Sequence, residues 1–370
     1  MSTAKVPFVD LKAEYEVIQP EIDAAIASVI QSGIFIQGPE VSALEKELAA
    51  YVSTPVCVSA ASGTDAILIA LIALGVGPGD EIITTPFSFF AAAEMIALLG
   101  AKPVFVDVDE ASFNLNPSLL DKAITKRCKA VIPVSLYGRP ADMDEINAIC
   151  LKKNIPIIED AAQSFGADYK GKKSCNLSRI SITSFFPTKP LGAYGDAGAI
   201  FCQDETIGKK LRLIMNHGQA VRYDHHVIGV NGRMDAIQAA ILRVKLRHLS
   251  EQIKLRQQMA HRYSHLLQGL PLTLPITTGD RTSAWAQYSV RVKERARVEK
   301  ILADEGIPTS VHYPSPVYAQ KALSHLSIEK NDFPVTEKIC SEILSLPMSA
   351  QLTETQQDLV VSALKKALTS

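Results

Sequence analysis

The first two thirds of the chain alternate short apolar segments with longer helical ones, and this alternation restricts the possible folds more than any other feature. Strands are predicted at residues 81–84, 103–107, 130–134, 155–160, 180–185 and 198–202. Helices are predicted between them, at residues 64–75, 89–99, 117–125, 141–153 and 206–216. Strands that are apolar throughout and separated by helices indicate an α/β fold, with a mostly parallel sheet covered on both faces.

The last third of the chain predicts a different unit. Residues 234–267 form one long helical stretch without proline, which we interpret as a connector between two domains. A smaller α/β unit follows, with strands near residues 288–292 and 309–313, a helix near 295–305 and two terminal helices. We therefore predict a large domain over residues 1–240 and a small C-terminal domain over residues 241–370.

The composition excludes several classes of protein. Lys and Arg number 38 and Asp and Glu number 39, so the net charge of −1 gives no electrostatic basis for binding nucleic acid. The longest apolar run, residues 66–76, is well short of the roughly 20 residues needed to cross a bilayer. We expect no membrane association, and residues 1–10 contain no apolar stretch typical of a signal peptide.

The six cysteines are scattered, and no two have the spacing of a zinc site or a redox pair. Single, dispersed cysteines in a chain of this length are typical of reduced thiols in a cytosolic protein. The sequence therefore predicts a cytoplasmic location and no metal site.

An acidic residue stands where the strand at 155–160 ends. In open α/β sheets ligands bind at the carboxyl ends of the strands, so Asp160 is a candidate site residue. A carboxylate that ends a buried strand is costly unless it is paired. Two interpretations stay open: Asp160 caps a helix that begins at Ala161, or it holds a cationic ring nitrogen.

A lysine follows the strand at 180–185. Lys189 lies between two prolines and precedes a glycine-rich turn at residues 192–198. Most lysines are solvated surface charges. A lysine held in a packed loop is desolvated, which lowers its pKa and allows it to form a Schiff base.

Together Asp160 and Lys189 are the two kinds of side chain that bind pyridoxal phosphate: a lysine forms a Schiff base with its aldehyde, and a carboxylate pairs with its ring nitrogen. The cofactor also needs a phosphate site. Gly63 and Thr64 open an apolar helix after several small residues, and backbone N–H groups at such a helix start bind phosphate. Ser184 could add a hydroxyl, although residues 59–65 taken alone favour an ordinary Ser/Thr helix cap.

The ordered set of motifs resembles the DegT/StrS-type sugar aminotransferases, a fold type I pyridoxal-phosphate family. The resemblance covers essentially the whole chain and rests on residues 8–11, 38–41, 63–66, 75–81, 159–164, 184–192, 216–218 and 231–235. It implies a large domain with a mostly parallel seven-stranded sheet and a smaller C-terminal α/β domain. The segment 184–192, which contains Lys189, is the most specific of these motifs.

The resemblance also implies roles around the cofactor ring. Lys189 would bind the cofactor covalently and move the proton during the reaction, and Asp160 would keep the ring nitrogen protonated. Phe89 would stack on one ring face with Ala162 under the other, and Gln163 would lie near the phenolic oxygen. Gly63, Thr64 and Ser184 would bind the phosphate. Any aromatic of residues 87–90 could instead be a core residue.

Further roles are implied for residues that would come from a second subunit or from the small domain. Asn231 would reach the phosphate from a partner subunit, which implies a homodimer with shared active sites. Arg233 of the partner, together with His312 and Tyr313, would contact the sugar or a carboxylate. Without the resemblance, Asn231 would be interpreted as part of a turn, Arg233 as an ion-pair residue and His312 as a structural histidine.

The implied reaction moves an amino group from L-glutamate to a nucleotide-linked keto sugar. Within the family, residues 133–138, 173–178 and 309–314 are most similar to enzymes that aminate UDP-2-acetamido-2-deoxy-3-oxo-D-glucuronate for bacterial surface polysaccharide. A 4-keto-6-deoxy nucleotide sugar is the alternative substrate. Relatives that dehydrate sugars replace the lysine with histidine, and a non-catalytic regulator would be expected to lose Lys189 or Asp160, whereas both are present.

Overall fold

A seven-stranded sheet forms the centre of the computed structural model, which describes residues 6–326, 328–329 and 332–369. In chain order, the strands of this sheet and of the smaller sheets are β1 (Val56–Ala60), β2 (Glu81–Thr84), β3 (Lys102–Phe105), β4 (Cys128–Val131), β5 (Ile158–Asp160), β6 (Asp168–Tyr169), β7 (Lys172–Lys173), β8 (Ile180–Ser184), β9 (Gly198–Cys202), β10 (Gln219–Val221), β11 (Asp224–His225), β12 (Leu272–Thr273), β13 (Tyr288–Val292) and β14 (Ile343–Leu346).

Helices flank the sheet and connect its strands. They are α1 (Leu11–Ser32), α2 (Gly38–Val52), α3 (Gly63–Ala73), α4 (Ala91–Leu98), α5 (Pro117–Ala123), α6 (Met143–Lys152), α7 (Glu205–Met215), α8 (Ala236–Leu267), α9 (Arg295–Asp304), α10 (Pro334–Glu342) and α11 (Glu354–Thr369). Across the described residues, none of these helices combines the length and the apolar character needed to cross a membrane.

The central sheet has the order β1-β9-β8-β5-β4-β2-β3. Its two halves, β1-β9-β8-β5 and β4-β2-β3, are joined by parallel bridges between Val131 and Ile157 and between Val134 and Asp160. Only β9 runs antiparallel to its neighbours β1 and β8, and the other pairings are parallel. The predicted mostly parallel, seven-stranded sheet is therefore confirmed.

Both faces of this sheet are covered. On one face lies α3, which packs on β8 and β9 and also on α4 and α7. Its residues Ile69 and Leu71, which point to different sides of the helix, are both fully buried, as expected for a helix that is apolar all round. On the other face, α2 and the first half of α8 pack over Phe185 and Phe201. Burying one leucine, isoleucine or phenylalanine side chain contributes about 1.5–3 kcal/mol to the stability of the fold. These packed layers therefore hold the ends of the strands in fixed positions.

A second, antiparallel sheet, β12-β13-β14, forms the smaller unit together with α9, α11 and the end of α8. The long helix predicted at 234–267 is present as α8, whereas the division into domains at residue 240 stays a prediction. Asp107, just after β3, links α10 to the central sheet. Its carboxylate accepts hydrogen bonds from the N–H groups of Val335 and Thr336 at the start of α10.

The strand predicted at residues 309–313 was wrong. Residues 309–313 form a single bridge, between Ser310 and Ser345, rather than a strand, and β14 occupies the position beside β13. Pro314 and Pro316 follow at once, and proline has no N–H to donate to a ladder. The sequence analysis also missed β1, since Val56–Ala60 is short and contains the small or weakly apolar residues Cys57, Ser59 and Ala60.

Candidate active site

The carboxyl ends of β5 and β8 and the N-terminus of α3 meet around a cavity of about 480 Å³. Parallel strands that lie side by side end at the same edge of a sheet, so Asp160 and Lys189 come close although 29 positions separate them. Ten of the residues singled out from the sequence line this cavity: Gly63, Thr64, Phe89, Asp160, Ala162, Gln163, Ser184, Lys189, His312 and Tyr313.

Asp160 is the last residue of β5 and is only 7% exposed. Its carboxylate accepts a hydrogen bond from the N–H of Ala162 at 3.0 Å, which is a cap-like contact although no regular helix follows. Burial raises the pKa of Asp160, and the Ala162 contact and the positive charge of Lys189 oppose that shift. A cationic group placed beside this buried carboxylate would favour its ionised form.

Lys189 lies in the loop that follows β8. Its backbone N–H donates to the carbonyl of Phe186 at 2.8 Å, and the next turn needs Gly192, because a Cβ there would collide with the backbone of Pro187. Burial lowers the pKa of the Lys189 amine, while attraction to Asp160 opposes the shift. The loop therefore presents a lysine that loses its proton more easily than one in water.

The start of α3 lies directly against the end of β8. A Cβ built on Gly63 would be 2.6 Å from the Cβ of Ser184, so only glycine allows this approach. Ser62 caps the helix by accepting from the N–H of Asp65 at 3.0 Å. The N–H groups of the first turn, which have no partners within a helix, and the hydroxyls of Thr64 and Ser184 form a cradle for an anion.

Gln163 is held in one orientation. Its Oε1 accepts from the backbone N–H of Tyr137 at 2.8 Å, and its Nε2 donates to the hydroxyl of Tyr313 at 3.4 Å. Phe89 is 59% exposed, which excludes the alternative that it is a core residue, and its ring lies 6.3 Å from that of Tyr313. Ala162 and Phe89 both line the cavity.

His312 and Tyr313 bring the smaller unit to the cavity. Nδ1 of His312 lies 3.0 Å from the hydroxyl of Ser345, and its carbonyl accepts a hydrogen bond from the hydroxyl of Tyr137. Burial and the nearby positive charge of Lys189 lower the pKa of His312, so its ring is neutral at pH 7. Burial raises the pKa of the Tyr313 hydroxyl, which therefore stays protonated and able to donate.

Two predicted site residues do not line the cavity of this chain. Asn231 is exposed and pairs with Asn216 across an isolated bridge. Arg233 donates from Nη1 to Oδ1 of Asn216 at 2.8 Å, and no carboxylate is paired with it among the described residues. The buried Nε of Arg233 has no hydrogen-bond partner among the described residues. Within one chain Arg233 therefore forms no ion pair with the described residues, and its interpretation as an interface ion-pair residue stays open.

Sequence reasoning missed several residues that line the cavity. Thr188 adjoins Lys189, and Asp196 lies within the glycine-rich turn that had been singled out. Gln287 immediately precedes β13, whereas the sequence analysis considered only residues that follow strands. Tyr137 contacts two site residues from a left-handed backbone conformation with φ of 57°, which no pattern indicated.

The arrangement fits pyridoxal phosphate. The cradle at Gly63 and Ser184 suits the phosphate, the buried carboxylate of Asp160 suits a protonated ring nitrogen, and the amine of Lys189 suits the aldehyde. Gln163 lines the same cavity and would offer its Nε2 as a donor to an oxygen on the ring. Within the described residues there is no group of three or more His, Cys, Asp or Glu side chains arranged to hold a metal ion.

Comparison with known sequences agrees with this chemistry. The profile of the DegT/DnrJ/EryC1/StrS aminotransferase family matches residues 16–365. The chain is 50% identical to the UDP-2-acetamido-2-deoxy-3-oxo-D-glucuronate aminotransferase of Pseudomonas aeruginosa, over 97% of this chain and 99% of that one. It is 44% identical to a pleiotropic regulatory protein of Geobacillus stearothermophilus, over 96% of each chain.

Comparison with solved structures gives the same result. The crystal structure of DesV from S. venezuelae superimposes with a TM-score of 0.96 at 39% identity, covering 98% of each chain. The PLP form of the sugar aminotransferase Spr1654 from Streptococcus pneumoniae superimposes with a TM-score of 0.90 at 26% identity, covering 95% of this chain and 96% of that one.

Proposed function

Because the chain belongs to the DegT/DnrJ/EryC1/StrS aminotransferase family, a family of pyridoxal-phosphate enzymes, we propose that its site carries out a specific sugar amination. The amino group of L-glutamate would be transferred to the 3-keto carbon of UDP-2-acetamido-2-deoxy-3-oxo-D-glucuronate. The products are 2-oxoglutarate and the 3-amino sugar nucleotide, a precursor for bacterial surface polysaccharide such as O-antigen. The 50% identity to the Pseudomonas aeruginosa enzyme of that name supports this substrate.

The observation that carries the catalytic proposal is that Lys189 and Asp160 line the same cavity. The charge of each residue acts on the pKa of the other, which supports a joint role for the amine and the carboxylate. A regulator that had lost catalysis would have no need to keep a desolvated lysine beside a buried carboxylate, because both are costly to bury.

The residues divide the work as follows. When bound, pyridoxal phosphate supplies an electron sink for negative charge at the carbon that exchanges its proton. Asp160 would hold a positive charge on the ring nitrogen, and Gly63, Thr64 and Ser184 would anchor the phosphate. Nζ of Lys189, made less basic by burial, would take the proton from the α-carbon of the donor and later return a proton to the sugar carbon. Phe89 and Ala162, which line the cavity, would cover the two faces of the ring.

The space beside the site suits a nucleotide sugar. A groove of about 700 Å³ adjoins the cavity, and Ser88, Phe89 and Tyr313 line both. We assign the sugar to the cavity and the nucleotide to this groove. His312 and Tyr313 would contact the sugar, with the neutral His312 ring and the protonated Tyr313 hydroxyl available for hydrogen bonds.

A second copy of the chain would complete the site. Residues 34–36 and Ile228 are large apolar residues on the surface, and Ile228 is 90% exposed. They are joined to Asn231 and Arg233 through the bridge from Ile36 to Asp235 and the chain segment 228–235. An exposed apolar patch of this kind marks an interaction surface. We infer a homodimer in which Asn231 and Arg233 serve the partner's cavity, the first at the phosphate and the second at the sugar carboxylate.

We place the reaction in the cytoplasm. All six cysteines are free thiols and all are buried, as expected in a reducing compartment.

An absorbance titration of the purified holoenzyme tests the function. L-glutamate should convert the visible band of bound pyridoxal phosphate to that of the pyridoxamine form, and the 3-keto UDP-sugar acid should restore it. Lys189→Ala should abolish turnover, whereas Lys12→Ala, which changes an exposed lysine, should leave it unchanged. Restoration only by a 4-keto-6-deoxy sugar would keep the enzyme class and replace the substrate. Failure to bind pyridoxal phosphate at all would support a regulator instead.

A further inference from the structure

A second cavity, of about 180 Å³, lies beside the cofactor cavity, and Gln287 lines both. It is formed where the segments around Phe113 and Tyr137 meet α8 and the loop before β13. We call it the Arg139 cavity, after the charged residue that lines it. None of the roles described above uses this space.

Arg139 has few partners for a charged group. Its Nη1 donates to the hydroxyl of Thr278 at 3.2 Å, and its Nε is buried without a partner. No carboxylate of the described residues forms an ion pair with it, whereas the neighbouring Arg281 is paired with both Asp142 and Asp280. Burial and the charge of Arg281 lower the pKa of Arg139, while the carboxylates of Asp142, Asp280 and Asp109 oppose that shift from beyond ion-pair distance. A partly buried guanidinium with an unpaired Nε and no carboxylate in direct contact is unfavourable, and binding an anion would relieve this.

The walls of the cavity limit what that anion can be. Phe113 and Trp285 contribute aromatic surface and Ile276 aliphatic surface, while Arg139, Thr278 and several other polar side chains line the rest of the cavity. A cavity of about 150 Å³ accommodates benzene, so this slightly larger one, of about 180 Å³, has room for a six-membered ring or an aliphatic chain of similar size. We propose that the Arg139 cavity binds a small carboxylic acid, with the carboxylate on the guanidinium and the carbon chain or ring against the apolar walls.

A ligand in the Arg139 cavity would influence the active site through Tyr137. Tyr137 lines the Arg139 cavity, its N–H holds Oε1 of Gln163, and its hydroxyl holds the carbonyl of His312. A ligand that packs against Tyr137 therefore contacts the residue that orients two groups of the cofactor cavity. The bound acid acts as an effector rather than as a reactant, because Lys189 does not line this second cavity.

Calorimetric titration of the holoenzyme tests the proposal, with benzoate as the probe. Benzoate consists of one benzene ring and one carboxylate, and its neutral counterpart benzamide controls for the charge. Benzoate should bind at one site per chain and benzamide at least tenfold more weakly. Arg139→Gln should weaken benzoate binding at least tenfold and Arg139→Lys less, while Arg179→Gln, which changes an exposed arginine, should have no effect. The cofactor absorbance of each variant verifies its fold.

Several outcomes would overturn the proposal. Equal binding of benzoate to the native protein and to Arg139→Gln would place the acid elsewhere. Binding of inorganic phosphate with rejection of benzoate would exclude the carboxylic-acid class. A rise in the KM for L-glutamate that accompanies the loss of benzoate binding in Arg139→Gln would assign the cavity to the amino donor. Failure of the native holoenzyme to bind benzoate would remove the site.

Discussion

The close approach of Gly63 to Ser184 gives the sharpest test of the phosphate cradle. In Gly63→Ala the new Cβ would lie 2.6 Å from the Cβ of Ser184, and ordinary contact begins at 3.4 Å. The start of α3 must therefore move by about 0.8 Å from the end of β8. Overpacking of this kind costs about 1–3 kcal/mol, and the displaced N–H groups no longer converge on the phosphate.

Two measurements separate the structural effect from the functional one. Urea denaturation should show Gly63→Ala destabilised by about 1–3 kcal/mol. The apoenzyme should bind pyridoxamine phosphate, which forms no bond to Lys189, about tenfold more weakly, corresponding to a loss of about 1.4 kcal/mol. Gly77→Ala is the matched control, since a Cβ there meets nothing within 4 Å.

A second substitution tests the cause. Adding Ser184→Gly to Gly63→Ala removes the atom 2.6 Å away and leaves a nearest approach of 3.1 Å, to the backbone Cα of residue 184. The double variant should recover part of the lost stability but not the phosphate affinity, because the Ser184 hydroxyl is also gone. Native-like stability and affinity in Gly63→Ala would refute the reasoning that this contact shapes the cradle.

Three further predictions follow from the electrostatics and the hydrogen bonds. Asp160→Asn removes the attraction that raises the pKa of Lys189, so trinitrophenylation of that amine in the apoenzyme should begin at lower pH. If the rate of trinitrophenylation depended on pH as it does in the native protein, Asp160 would not influence the pKa of Lys189. His312 has a lowered pKa when folded, so the unfolded chain takes up its proton first and stability falls as pH drops below about 6.5. His312→Gln should flatten the stability curve from pH 6.5 toward 5 in urea titrations, and an equally steep curve would exclude this role. Asp107→Ala removes the acceptor of the hydrogen bonds from α10 and should destabilise the protein by about 2–4 kcal/mol, whereas a loss below about 0.5 kcal/mol would show that the tie is weak.

The parts of the site that the sequence predicted share one physical origin. Asp160 and Lys189 each follow a buried strand, and the pairing of β5 with β8 brings their ends together. The alternation of apolar strands and helices was enough to predict such a pairing, since it requires a parallel sheet. Gly63 could be identified because a helix that begins with glycine after small residues is a recurrent phosphate site, even though the strand before it was missed.

The missed contacts join residues that are far apart in the chain. Tyr137 reaches the carbonyl of His312 across 175 positions, and Gln163 reaches Tyr313 across 150. No local periodicity encodes such a contact, because it depends on how β13 and β14 carry the segment 309–313 to the edge of the central sheet. The same segment failed as a predicted strand because Pro314 and Pro316, which follow it, have no N–H to donate to a ladder. Sequence patterns therefore located the groups that perform the proposed chemistry, while the contacts that fix their orientation emerged only from the packing of the two units against each other.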